Sequence, residues 1–400
     1  MSLTQLPPVG TPLITSTKKF TREPEPINFL GFAHTFLNSG TAALGLILTR
    51  LVQHSANPKR KVIIPGYACP DLVAACEFAR TQAVIVDFDA ASYQYDLTQL
   101  NSLKGEILAV ICPSLVGISM PIQPLRDVLA DNVYIIEDNA QWFPEHEDPT
   151  VRAANLENFS QYILPSETQH CDFFIASFGR GKPVNMLGGG LVAWKKQYNE
   201  WFDNVQRTAD DDHSTAVGYS TRIKAHIFNF ICHPLPYGML CRLPFLKLGA
   251  TTFHPLENIE SLDKEKIGLS RWAALKYLSQ STQVMDFLKL NIPFAWSQQG
   301  TDKRLLRFPM LAVNKQVRDK IVAKCNEYGL GASAMYEKPL STIDDIAQRV
   351  EQPFPTPIAD SIANGFFTLP VHAGVTYDHA LQMAKLLSPY YSELRQVPAL

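Results

Sequence analysis

The chain has 400 residues, 46% of them hydrophobic, enough to bury a large core and to form about two domains, or one large α/β unit with an appendage. A net charge of −2 and a pI near 6.6 leave no basic footprint, so no nucleic-acid partner is expected, and the run Arg50, Lys59, Arg60, Lys61 reads as a solvated surface. The seven cysteines are odd in number, widely spaced and form no CxxC pair, which argues against both a disulfide framework and a zinc site. No uncharged apolar run approaches the roughly 20 residues that span a bilayer. The opening residues lack the apolar centre of a secretion signal, and a cytoplasmic location is therefore expected.

Residues 1–25 read as an N-terminal extension, 26–250 as a large domain, and 251–400 as a helical connection with a smaller C-terminal domain. The first element with chemical content is NSGTAAL, Asn38 to Leu44, where Ser39, Gly40 and Thr41 open an Ala- and Leu-rich helical run ending near Leu51. Unpaired N–H groups and the helix dipole at such a start suit a phosphate, although Ser-Gly-Thr before a helix is often only a cap.

From Val62 to Trp194, short apolar runs (VIIP, AVIVDF, EILAVIC, VYIIED, FFIASF, GLVAW) alternate with helix-length stretches such as 71–80 and 122–130. This alternation predicts a mainly parallel sheet with helices on both faces. The run NVYIIEDNAQ delivers Glu137 and Asp138 at a strand's carboxyl end, where open α/β sheets bind ligands. Asp138 reads either as a helix cap or as the carboxylate that pyridoxal chemistry needs against the ring nitrogen.

Next comes DFFIASFGRGKPVNMLGGGLV, Asp172 to Val192: a strand into Ser177, a glycine-flanked loop, Lys182, then Gly188 to Gly190. A lysine held at a strand end can form a Schiff base with pyridoxal phosphate. Taken alone it reads equally as a surface-loop lysine. The order of a phosphate cradle, a carboxylate, then Ser177 and Lys182 is what carries weight.

An acidic, polar link at Ala209 to Ser214 follows. The stretch 219–248 is rich in Phe, Ile, Leu and Pro, and from Ile223 its apolar residues are interleaved with Lys224, His226, Arg242 and Lys247. It reads as packing between domains or in a dimer interface, or else as a membrane-surface element. A helix at 262–283, a strand at 305–313, and helices at 316–328, 358–363 and 377–387 predict an α+β C-terminal domain.

At SGTAAL, VIIPGYACP, AVIVDFD, IIEDNAQ and ASFGRGKPVNMLGGG the chain resembles the DegT/DnrJ/StrS family of sugar aminotransferases. Weaker similarity continues at FPMLAV, EYGLGAS, YEKPL and LPVHAGV. The resemblance implies the fold type I architecture of pyridoxal-phosphate transferases: a seven-stranded type of mainly parallel sheet and a smaller α+β domain. It further implies a homodimer, an amino-acid donor and a keto-sugar acceptor, commonly nucleotide-linked. Carried over by position, it makes Lys182 the Schiff-base lysine and proton carrier, pairs Asp138 with the pyridinium nitrogen and Gln141 with the ring hydroxyl. The phosphate falls to Ser39, Gly40, Thr41 and Ser177.

The chain departs from the pattern in places. Cys69 stands where an aromatic residue usually covers the cofactor ring, leaving that role to Cys69 or to a displaced Tyr67. Ser114 replaces a common histidine, and LGGG lacks an acidic residue found in many relatives. Retention of Lys182 argues against the dehydratase branch, which carries histidine there. Two other readings compete with a transaminase: a cofactor-binding sensor or scaffold, and another pyridoxal enzyme such as an aldolase or lyase.

Overall fold

The computed structural model describes residues 3–205, 217–243, 251–300 and 302–396. The expected link at 209–214 and the end of the apolar stretch, 244–248, lie outside the described residues.

The large sheet has eight strands, one more than the expected type, in the order β1-β7-β6-β5-β4-β2-β3-β10. Its members are β1 (Phe32–Leu37), β2 (Lys61–Pro65), β3 (Gln82–Val86), β4 (Ile107–Pro113), β5 (Tyr134–Asn139), β6 (Phe173–Ser177), β7 (Gly190–Lys195) and β10 (Val350–Glu351). From β6 to β10 every neighbouring pair is parallel, whereas β7 runs antiparallel to both β6 and β1. The central strands read as continuous apolar runs because both faces are covered. Val62 and Ile64 of β2 face the helices Gly40–His54 and Asp71–Phe78, while Ile63 between them enters the core on the other face with Val110 and Phe174.

A second sheet has three antiparallel strands in the order β8-β11-β9: β8 (Arg307–Leu311), β11 (Phe366–Pro370) and β9 (Ser333–Ala334). Helices Lys315–Glu327, Pro357–Gly365 and Tyr377–Leu387 accompany it, close to the bounds expected from sequence. Between β9 and β11 the chain crosses back to the large sheet, since β10 pairs with β3 through Val350↔Ala83 and Glu351↔Val84.

Features not read from the sequence include strand β1, the short strands β9 and β10, the helix Gln283–Asn291, and two helices inside the apolar stretch, Tyr219–Ile231 and Pro234–Leu240. Only Ala225 and Gly238 are fully buried in those two helices, so in this chain the stretch is a surface hairpin and not core. No helix among the described residues is long and apolar enough to cross a membrane.

Candidate active site

Parallel pairing puts the ends of β4, β5 and β6 side by side, with Pro113 opposite Asp138 and Asp138 opposite Ile175. Beyond them lies a cavity. Of the nine residues singled out in the sequence, Gly40, Thr41, Tyr67, Cys69, Asp138, Gln141, Ser177 and Lys182 line it. The ninth, Ser39, is not on the lining: it is the N-cap of the helix Gly40–His54, its hydroxyl accepting from the Ala42 N–H at 3.0 Å. Ser39 thus shapes the helix start.

That start is held tightly against the sheet. A Cβ on Gly40 would come within 2.8 Å of Ser177 Cβ, so only glycine lets the first turn approach the end of β6 this closely. Gly190 is tighter still, since a Cβ there would meet the Ser39 backbone at 2.4 Å. Gly40 and Thr41 therefore present early helix N–H groups beside the Ser177 hydroxyl, a cup suited to a phosphate.

Asp138 is buried, and its carboxylate accepts a single hydrogen bond, from Ala140 N–H at 2.9 Å. Burial pushes its pKa up, opposed by that hydrogen bond and by the charge of Lys182. Lys182 acts on Asp138 through space without an ion pair, and its loop is turned back by a bond from its own N–H to Gly179 O at 3.2 Å. Strand alternation sends the adjacent Glu137 elsewhere: it is buried off the cavity lining, with its carboxyl also pushed up by burial.

Gln141 is clamped. Its amide N–H donates to Tyr336 Oη at 3.0 Å and its carbonyl accepts from Val116 N–H at 3.0 Å. Tyr67 is fully buried, with its hydroxyl donating to Met335 O and its ring edge-on to Tyr336 at 5.6 Å, so it is fixed in the wall. The Cys69 thiol is pushed up to about 12, first by burial and then by Asp71, against the pull of Lys182; it faces the cavity as a neutral thiol. Ser114, also on the lining, spends its hydroxyl on Asn139 Oδ1 at 2.7 Å.

Sequence reasoning missed Tyr93, Asp71 and Tyr336 on the lining. Tyr336 lies far along the chain from Gln141 and takes φ +46°, a left-handed conformation costly for a bulky side chain. Only the weak similarity at YEKPL marked its neighbourhood, because contacts between the two sheets leave no periodic signal.

These residues fit pyridoxal phosphate. The cup at Gly40, Thr41 and Ser177 matches its phosphate, and the under-bonded, buried Asp138 awaits a cationic partner such as the ring nitrogen. Among the described residues no cluster of His, Cys, Asp or Glu could hold a metal.

The architecture is that of fold type I pyridoxal-phosphate enzymes. Residues 16–164 match the DegT/DnrJ/EryC1/StrS aminotransferase family. A protein of Streptococcus pneumoniae assigned as a sugar aminotransferase, solved in its PLP form, is similar at 17% identity and TM-score 0.60, over 96% of this chain and 93% of that one. A DegT/DnrJ/EryC1/StrS aminotransferase from Brucella abortus is similar at 16% identity and TM-score 0.58, over 90% and 86%. The E. coli GDP-4-keto-6-deoxy-D-mannose-3-dehydratase, with hydrated PLP bound, shares the fold at 11% identity and TM-score 0.60, over 88% and 87%. No curated protein matches the sequence.

Proposed function

We propose that the protein transfers an amino group from an amino acid to a keto-sugar, using pyridoxal phosphate held covalently by Lys182. The observation that supports this reading is the convergence of Lys182, Asp138, Gly40, Thr41 and Ser177 on one cavity at the carboxyl ends of β4 to β6. The cofactor, when bound, supplies an electron sink that acidifies the substrate carbon bearing nitrogen.

The chain's own residues do the rest. Gly40, Thr41 and Ser177 anchor the phosphate, which fixes the ring's position. Asp138, kept from water, holds the pyridinium proton by its charge and so keeps the ring electron-poor. Lys182, at the turn between Gly179 and the Gly188–Gly190 loop, would move a proton between the substrate carbon bearing nitrogen and the cofactor. The wall formed by Tyr67, Tyr336, Gln141 and Cys69 closes the side of the cavity and excludes water.

The acceptor pocket differs from the pattern expected of the family, because Ser114 and Cys69 offer one titratable group fewer and more room. Poor turnover of common 4-keto-6-deoxy nucleotide sugars follows from this. The reading is tested by mixing cofactor-loaded protein with a panel of amino acids and then keto-sugars, followed by absorbance and product mass. Conversion of the cofactor to its amine form, then return of the spectrum with an aminated sugar, supports it. A spectrum unmoved by every amino donor favours a non-catalytic binder.

A further inference from the structure

The helices Tyr219–Ile231 and Pro234–Leu240 form a hairpin whose inner side is anchored. Asn229 exchanges two hydrogen bonds with the Leu13 backbone, at 2.8 and 3.0 Å, and Gln5 N–H donates to Pro234 O at 2.9 Å. The outer side has no partner among the described residues. Tyr219 is 81% exposed, Ile227 55%, Phe230 68% and Met239 62%, with Ile223, Leu235 and Leu243 also exposed. Tyr219, Ile223, Ile227 and Phe230 follow at spacings of four, four and three, so they fall on one stripe of the helix.

The described hairpin, 217–243, carries basic side chains and no acidic one, the acidic run Asp210 to Asp212 lying before it. From His213 to Leu256 the sequence contains no Asp or Glu, while Arg222, Lys224, Arg242 and Lys247 fall within it. Arg222 and Lys224 flank the stripe on either side, and both are exposed. Glu265 reaches the hairpin at its helix start, accepting from Gly218 N–H at 2.8 Å.

We propose that this hairpin docks the protein on an anionic bilayer surface, lying in the interface with its apolar stripe in the headgroup and acyl boundary. Apolar side chains on one helix face, flanked by basic ones with no acidic residue between them, complement anionic lipid headgroups. The same charge argues against a two-fold contact through the stripe, which would set Arg222 and Lys224 against their own images with no acidic residue of the described hairpin to pair them. The hairpin is too short to cross the membrane, so it binds reversibly at the surface. Cys232, at its turn, lies close enough to Arg180 for that guanidinium to act on its thiol, placing the docking element beside the Lys182 loop.

The test is flotation of the full-length protein with vesicles of phosphatidylcholine alone or mixed with phosphatidylglycerol, at low and high salt, with light scattering run alongside. The protein floats with the anionic vesicles at low salt and not with the neutral ones. The pair Ile227→Asp and Phe230→Asp, and separately the pair Arg222→Glu and Lys224→Glu, each lower the bound fraction by at least ~10-fold without changing the mass in solution. No flotation with anionic vesicles, or flotation unaffected by either pair, overturns the proposal. A fall in solution mass in the Ile227→Asp and Phe230→Asp protein also overturns it, because the face then joins two copies of this chain.

Discussion

Asp138 shows what the site costs the protein at the level of one residue. Its burial raises its pKa above that of an unfolded aspartate, so in the cofactor-free protein the folded state resists ionising it. Stability from this group is full below the ordinary carboxylate pKa and is lost as pH rises through the raised value. Asp138→Asn should therefore stabilise the cofactor-free protein at neutral pH, as a higher melting temperature, because asparagine keeps the Ala140 contact without the charge. The same change should lower transamination by at least ~10²-fold through loss of the ring's charge partner. Near-normal turnover in that variant would remove Asp138 from the proposed chemistry.

Histidines 34 and 372 act with the opposite sign. Burial pushes both down to about 4, His34 between Phe29 and Phe36, and His372 while its Nε2–H donates to Pro7 O at 2.9 Å. The folded state disfavours their protonation, so their contribution is whole above the ordinary value of 6.5 and falls away as pH drops toward about 4. A melting series should show this loss between those values. His372→Gln, which keeps a donor to Pro7 but does not titrate, should flatten part of it; an unchanged slope would mean that His372 does not carry the acid sensitivity.

Among the elements, the junction between β7 and the helix Gly40–His54 leaves no room for a side chain. Gly190→Ala puts a methyl 2.4 Å from the Ser39 backbone and 2.5 Å from Gly40 N, where nothing flexible can yield. A loss of about 1–3 kcal/mol in chemical unfolding is expected, with weaker cofactor binding because the phosphate cup moves. Unchanged affinity in a folded Gly190→Ala protein would show that the cup does not depend on this contact. The helix start was legible because Ser39 is a cap and an Ala- and Leu-rich run follows it. Strands β2 to β7 were legible because burial on two faces writes itself as unbroken apolar sequence. The mixed edge strand β1 and the two-residue β10 lack that signature, and the 219–240 helices were obscured by Pro234 and Pro236 and by an apolar content that reads as core.

For the whole molecule, the cavity joins residues from Gly40 to Tyr336, drawn from the large sheet's end and the segment after β9. That Lys182, Asp138, Gly40, Thr41 and Ser177 meet at one cavity was legible because each sits at the end of an element with its own local pattern, whereas Gln141 came from the resemblance. Tyr336 was not, since its place depends on how the segment after β9 folds over the large sheet. A homodimer remains the expected assembly by resemblance, and with the outer hairpin assigned to a bilayer surface its interface would use another face. Light scattering at micromolar concentration should then give twice the chain mass, with the hairpin variants unchanged; an active monomer would refute that expectation.

The central claim is that Lys182 carries the cofactor in this cavity, and the most direct measurement is borohydride reduction of the cofactor-loaded protein followed by peptide mass mapping. The pyridoxyl group should be found on Lys182 and nowhere else. A label on another lysine, or none in a protein that has bound the cofactor, would contradict the account.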